Sequence, residues 1–140
     1  MKIKQYLLDT NILIELMSQN PAVVAKVLEV GLDACCMSVI SLHELFFGAF
    51  NAKRKGDEYC QRELARIEKL ASKIKVLPLK AKGNIYGDLK YSLMRKGQMI
   101  DEFDILIAEH AITEGLTVVT DNLKHFERIP GLKVENWMER

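Results

Sequence analysis

The sequence predicts an α/β protein, specifically a three-layer α/β/α sandwich built on a mostly parallel sheet. Two observations predict it. Short aliphatic or β-branched runs alternate with longer segments of helical periodicity, and strands joined by helices usually pair in parallel and carry helices on both faces. The chain has 140 residues, 49% of them hydrophobic, and shows no internal repeat. We therefore expect residues 1–140 to form a single domain.

The predicted strands are apolar runs of three or four residues, and the predicted helices carry apolar residues three and four positions apart. Asn20 before Pro21 is typical of a helix start, because asparagine caps backbone N–H groups and proline fits the first turn. The polar run NAKRKGDE, residues 51–58, interrupts the helical pattern and predicts a mobile hairpin. The predicted elements are a strand at residues 5–8, helices at 10–17 and 20–31, a strand at 34–37, helices at 38–50 and 59–72, a strand at 75–77, helices at 81–96 and 103–114, and strands at 117–120 and 133–135.

Several classes of protein are excluded by the composition. No apolar stretch reaches the roughly 20 residues that cross a bilayer, and the first residues lack a signal-peptide pattern. Three cysteines, two of them adjacent in an apolar segment, predict buried reduced thiols rather than a disulfide framework. We therefore expect a cytoplasmic protein without a membrane segment.

Charge is distributed unevenly along the chain. Residues 1–50 have three basic and five acidic side chains, residues 51–100 have thirteen and five, and residues 101–140 have four and nine. The middle segment thus carries +8 between acidic ends. This pattern is typical either of solvated helix faces or of a basic rim that binds a polyanion around an acidic centre.

Polar residues follow two of the predicted strands at the edge where parallel sheets bind ligands. Asp9 interrupts the apolar run LLDTNILIEL after the first strand, and Asp121 and Asn122 follow the strand TVVT. Asp9 could instead serve only as a helix cap, and Asp121 with Asn122 could form a plain turn.

Two further carboxylates lie on apolar helix faces. Asp104 shares its face with Ile100, Ile107 and neighbouring alanines, whereas Glu102, Glu109 and Thr113 are predicted on the opposite face. Glu44 has apolar neighbours at the same spacing, although Ser41 and Glu44 would form a capping box if the helix began at Ser41.

Converging carboxylates repel one another unless a cation neutralises them, and oxygen-only ligation favours Mg²⁺ or Mn²⁺. The three histidines have no zinc-ligand spacing with the cysteines, and each is predicted to lie at the surface or beside the site. A metal of this kind can activate water against a phosphodiester, and the basic middle segment would hold the nucleic-acid backbone. We expect that role of Lys53, Arg54, Lys55, Lys80 and Lys82.

Four ordered blocks together resemble a known family. LLDTNILIEL, SVISLHELFFGA, MIDEFDILIAEHAITEGLTVVT and DNLKHFERIPGLKVENW are similar, in this order, to blocks of the PIN-domain ribonucleases, and most closely to the VapC-type toxins. The resemblance implies that Asp9, Glu44 and Asp104 bind the metal. The family's Thr-x-Asp or Thr-x-Asn pattern falls on Thr120 and Asn122, with Asp121 in the middle, which leaves open the fourth site residue and the number of metal ions.

The same resemblance implies an Mg²⁺- or Mn²⁺-dependent endoribonuclease for single-stranded RNA, with tRNA or rRNA as the expected target class. It implies a homodimer and a cognate antitoxin, which could join it in a hetero-oligomer. Thr10 and Asn11 would position Asp9 or the attacking water, and Leu45, Phe46, Phe47 and Phe50 would contribute either to an antitoxin groove or to the core.

Two other functions remain open at this stage. A receiver-type phosphoacceptor is disfavoured, because no acidic pair follows the first strand and no lysine follows TVVT at the required place. A catalytically weak module that binds nucleic acid or an antitoxin on the same fold stays possible if Asn122 leaves the site poor in metal ligands.

Overall fold

The structure is a computed structural model that describes residues 4–138. Within this range it has five strands and seven α-helices. The elements are β1 (Tyr6–Leu8), α1 (Thr10–Met17), α2 (Pro21–Val30), a 3₁₀ turn (Leu32–Ala34), β2 (Cys35–Ser38), α3 (Val39–Asn51), a second 3₁₀ turn (Ala52–Lys55), α4 (Asp57–Lys73), β3 (Lys75–Leu77), α5 (Asn84–Arg95), α6 (Glu102–Glu114), β4 (Thr117–Val119), α7 (Leu123–Phe126) and β5 (Val134–Glu135).

All five strands form one parallel sheet in the order β3-β2-β1-β4-β5. β1 is the central strand: Tyr6 pairs with Cys35 of β2 on one side and with Thr117 of β4 on the other. The chain first builds β2 and β3 on one side of β1 and then crosses to the other side for β4 and β5. The switch point of the topology, where open α/β sheets bind ligands, therefore lies between β1 and β4.

Two apolar layers cover the sheet. One contains Leu8, Met37 and Val119 of the strands with side chains from α1 to α4, and the other contains Leu7 and Val118 with side chains from α5, α6 and α7. Successive strand residues point to opposite faces, so β1, β2 and β4 each supply both layers. The predicted three-layer α/β/α fold with a parallel sheet is confirmed. The helices of residues 4–138 include none with the length and apolar character of a membrane span.

The prediction for residues 51–58 is wrong. In place of a mobile hairpin, α3 continues to Asn51, a 3₁₀ turn follows, and α4 begins at Asp57. Gly56, with φ of 122°, allows the chain to reverse at this point, and Asp57 and Glu58 favour a helix N-terminus electrostatically. The predicted helix at residues 81–96 likewise begins three residues later, after Gly83 with φ of 97°.

Candidate functional site

Asp9 lies at the carboxyl end of β1, where its backbone N–H still donates to the carbonyl of Val119 in β4 (2.9 Å). Its side chain is buried, with 5% of the residue exposed. Oδ1 accepts a hydrogen bond from the backbone N–H of Thr10 (2.8 Å), and Oδ2 accepts one from the hydroxyl of Thr120 (2.9 Å). Asp9 therefore caps α1 and also presents a carboxylate between the ends of the two central strands, so the two interpretations of the sequence are compatible.

Glu44 lies on α3, one and a half turns after the end of β2. Ser38 caps this helix by accepting a hydrogen bond from the backbone N–H of Ile40 (3.0 Å), so the alternative of a capping box between Ser41 and Glu44 is wrong. Instead, the half-buried Glu44 accepts a hydrogen bond at Oε1 from the Thr10 hydroxyl (2.6 Å). Through its backbone and its side chain, Thr10 thus contacts two of the predicted metal-binding acids.

Asp104 lies in the first turn of α6, and its Oδ2 is 3.1 Å from Nδ1 of His125. The same Nδ1 is 2.8 Å from the side-chain nitrogen assigned to Asn122. One ring nitrogen cannot donate to Asp104 while it accepts from an amide N–H. Donation to Asp104 therefore requires the Asn122 amide to turn its oxygen toward the ring.

The three acids share an electrostatic environment. The pKa of Asp9 is raised to about 6, mainly by burial; the two hydrogen bonds oppose the rise, and the charges of Asp104 and Glu44 add to it. Burial is also the main cause of the raised pKa values of Glu44 and Asp104, and the charge of Asp101 adds to both. These carboxylates are therefore close enough to disfavour one another's ionisation, which is the condition that a cation relieves.

The other predicted site residues differ in their burial and in their hydrogen bonds. Thr120 is fully buried, and its hydroxyl accepts a hydrogen bond from the backbone N–H of Asn122 (2.9 Å) while it donates to Asp9. Asn122 is half-buried at the site, whereas Asp121 is exposed. Asn11 is also exposed, and its side chain forms no hydrogen bond within residues 4–138, in contrast to Thr10.

The basic residues predicted to bind RNA form two exposed groups. One occupies the 3₁₀ turn between α3 and α4, which follows the helix that carries Glu44. The other lies in the irregular segment after β3, at the carboxyl edge of the sheet. The first group is Lys53, Arg54 and Lys55, and the second is Lys80 and Lys82.

Sequence reasoning missed Asp101 and did not decide whether His125 lies at the surface or beside the site. His125 contacts Asp104, and the charge of Asp101 acts on both Glu44 and Asp104. A signal for each was present: Asp101 precedes Asp104 by one helical turn, and His125 follows Asn122 by three residues. Neither spacing identifies a site until the positions of α6 and α7 are known.

Two predictions about α6 are wrong. Glu109 is 1% exposed, and its Oε2 accepts the backbone N–H of Tyr86 (2.8 Å) in the first turn of α5. His110 is equally buried, with Nδ1 2.7 Å from the Ser38 hydroxyl, and burial lowers the pKa of this histidine. Because α6 packs against α3 and α5 as well as against the sheet, more than one of its faces is buried.

The donor set fits a hard divalent cation. Asp9, Glu44 and Asp104 offer only carboxylate oxygens, which Mg²⁺ and Mn²⁺ prefer. Oε2 of Glu44 and Oδ1 of Asp104 have no hydrogen-bond partner among residues 4–138, so these two acids each keep an oxygen for an ion, whereas both oxygens of Asp9 already accept one hydrogen bond. Among the described residues, no three His, Cys, Asp or Glu side chains are near enough to one another to ligate a single ion. Binding of one ion by Asp9, Glu44 and Asp104 therefore requires these side chains to move toward one another.

The chain is similar over almost its whole length to several known proteins. The family model of the PIN domain matches residues 6–132. The chain is 36% identical over 135 residues to Ribonuclease VapC2 of Haemophilus influenzae, covering 96% of this chain and 98% of that protein. It is 35% identical over 134 residues to the tRNA(fMet)-specific endonuclease VapC of Salmonella typhimurium, covering 95% and 98%. The structure of VapBC2 from Rickettsia felis, bound to a DNA fragment from its promoter, aligns with a TM-score of 0.81 at 35% identity, covering 94% and 98%.

Proposed function

The chain belongs to the PIN domain family, and from that premise we propose that it is a Mg²⁺- or Mn²⁺-dependent endoribonuclease that acts as the toxin of a toxin–antitoxin pair. Two kinds of observation support the proposal. The relatives that match almost the whole chain are ribonucleases or endonucleases by name. In this chain, three carboxylates from different elements influence one another's ionisation at the switch point of the sheet.

The observation that carries the proposal is the convergence of Asp9, Glu44 and Asp104: Thr10 donates hydrogen bonds to both Asp9 and Glu44, and the charge of Asp104 acts on both. We propose that these three acids hold the ion. A bound divalent ion supplies a water activated for attack and offsets charge on the phosphorus.

The chain's own residues keep the acids in place. Thr10 holds Glu44 and Thr120 holds Asp9 through hydroxyl hydrogen bonds, so neither carboxylate can turn freely. His125 lies against Asp104 and can orient it, and we propose Asn122 rather than the exposed Asp121 as the fourth site residue. For Asn11 we propose the role that the sequence predicted, which is to position the attacking water. Single-stranded RNA is the proposed substrate, held at its phosphates by the two exposed basic groups.

A nuclease assay tests the proposal. Purified protein, freed of its antitoxin, is incubated with total RNA in Mg²⁺, in Mn²⁺ and in EDTA, and the cleaved ends are mapped. We expect cleavage with either ion and none in EDTA, and we expect Asp104→Asn to lose it while its circular dichroism stays native. Binding of RNA without cleavage by the wild type would instead support the catalytically weak module.

We also propose a cognate antitoxin as partner, since the solved relatives include VapBC complexes. A groove of about 440 Å³ between α1, α3 and α4 offers it an apolar floor, formed by Ile14, Met17, Leu45, Ala49 and Ile67. Glu44 lies at its edge, so an occupant of the groove would also cover the site. We expect a homodimer of the toxin, with or without the antitoxin, which light scattering measures.

A further inference from the structure

Two phenylalanines on α3 are strongly exposed: Phe47 at 71% and Phe50 at 50%. Neither lines the groove between α1, α3 and α4, although the sequence suggested both as groove residues. They follow Glu44 by three and six residues, which corresponds to about 4.5 and 9 Å along the helix axis. Residues three apart are neighbours on a helix surface, so the two rings form a row that begins beside Glu44.

Lys53 extends this row by another three residues. Its Nζ lies 5.4 Å from the ring centroid of Phe50, in the range of a cation–π contact. Lys53 and the adjacent Arg54 are exposed, and within residues 4–138 neither is paired with a carboxylate. Lys53 therefore lies beside the rings and is available to an anionic ligand, and Arg54 lines the neighbouring groove between α1, α3 and α4.

The surroundings of the rings favour a nucleic acid over a protein as the ligand. His43, Gly48 and Asn51 are all exposed on the same helix, so small or polar residues border the two neighbouring rings. Aromatic rings alternating with cations are typical of proteins that bind single strands by base stacking.

We propose that Phe47, Phe50 and Lys53 form a stacking track for single-stranded RNA that leads away from the acids. One base stacks on each ring, and Lys53 with Arg54 contacts the phosphates between and beyond them. The inference rests on the proposed nuclease function, because it assigns the track to that enzyme's substrate. The track explains how the site selects unpaired RNA, since bases in a duplex cannot stack on the rings.

Tryptophan fluorescence offers a direct readout. Trp137, the chain's one tryptophan, is 2% exposed, so a Phe47→Trp variant adds a single exposed indole to a shielded background. We expect titration with a single-stranded RNA of about twelve nucleotides, in EDTA to prevent cleavage, to quench this indole to saturation. The matched control is Leu28→Trp, at a position on α2 that is 75% exposed, which we expect to stay unquenched. Equal quenching at the two positions would overturn the inference.

Affinity measurements separate stacking from charge. We expect Phe47→Leu to bind the same RNA about tenfold more weakly, from the measured value of one base–aromatic stack. An abasic strand of equal length keeps the phosphates and should bind the wild type and Phe47→Leu alike. Because Phe47 is exposed, the leucine variant should fold normally. Unchanged RNA affinity, an equal loss for the abasic strand, or a loss that follows a change in oligomeric state would refute the track.

Failure of this inference is distinguishable from failure of the proposed function. If the wild type cleaves RNA in Mg²⁺ but Phe47→Leu weakens only the binding of purified antitoxin, the rings serve the protein partner and the track is wrong while the nuclease stands. A second outcome is that no divalent ion supports cleavage, but RNA quenches the indole at position 47 and the abasic strand binds the wild type and Phe47→Leu equally. The track is then correct although the proposed nuclease function is wrong.

Discussion

Replacing Asp9 by asparagine should stabilise the metal-free protein near neutral pH, although Asp9 is buried and hydrogen-bonded. Its pKa is raised to about 6 from the ordinary 3.8, so ionising it costs about 3 kcal/mol more in the folded protein than in the unfolded chain. Asparagine removes the charge but keeps an oxygen for the Thr10 N–H, and the Thr120 hydroxyl can turn to accept from the amide.

The pH at which the gain appears follows from the two pKa values. Below about pH 4, Asp9 is protonated in both states, and the wild type and Asp9→Asn should be equally stable. As the pH rises to about 6, the unfolded chain ionises freely while the folded protein resists, so the wild type loses stability relative to the variant. Above about pH 6 the difference should level off near 3 kcal/mol, or about 10 °C in melting temperature for a chain of this size.

Thermal melts in EDTA between pH 4 and pH 8, followed by circular dichroism, measure this difference. Asp9→Ala is the matched control, because it removes the charge together with the cap of α1, which alone is worth about 1 kcal/mol. Adding Mg²⁺ should raise the wild-type midpoint, by about 2.7 kcal/mol at 100 times the dissociation constant, and should move Asp9→Asn much less. If Asp9→Asn melts below the wild type throughout, or if the gap does not change with pH, the carboxylate is a favourable cap and the reasoning is wrong.

Three further predictions concern other parts of the molecule. Glu44→Gln should reduce RNA cleavage by orders of magnitude in an end-labelled substrate assay, because the amide cannot offer a charged ligand to the metal ion. Asp121→Asn, at an exposed position, should reduce cleavage little. Equal losses in the two variants would place Asp121 among the catalytic residues. Glu109→Ala should destabilise the protein by about 2 kcal/mol in urea titration, because it leaves the Tyr86 N–H unpaired in a buried place, and an unchanged midpoint would contradict that role. Lys53, Arg54 and Lys55 of the basic turn can be replaced together by glutamine. The slope of log binding constant against log salt concentration should then fall by about one unit for each phosphate that the protein no longer neutralises. An unchanged slope would show that the turn is a solvated surface that does not contact RNA.

The three central acids could be found from the sequence because each violates a local pattern. Asp9 breaks an apolar run, and Asp104 and Glu44 occupy apolar helix faces, so periodicity alone marks them as unusual. Periodicity failed for Glu109, since that argument assumes one buried face per helix, and α6 is covered by α3 and α5 as well. The choice between a surface position and one beside the site stayed open for His125 for a related reason: its contact with Asp104 spans 21 residues and depends on how α7 packs against α6.

The turn at residues 51–58 was mispredicted from composition. A run of polar and charged residues predicts a loop, but local backbone geometry decides here, because one glycine at φ of 122° lets two helices follow each other almost directly. The consequence for the site is that the basic group lies on a 3₁₀ turn directly after the helix that carries Glu44, and not on an irregular loop.

The pairing of β1 with β4 joins residues more than a hundred positions apart, with Tyr6 opposite Thr117. On the ribosome, a nascent chain therefore emerges with Asp9 and Glu44 long before it has the strand that carries Thr120 to Asp9. Until β4 is made, the sheet lacks the neighbour on one side of its central strand, and Asp104 has not met His125. A chain that lacks β4 and α7 therefore lacks the contact of Thr120 with Asp9 and that of His125 with Asp104, so the centre is assembled only after both elements have joined the fold.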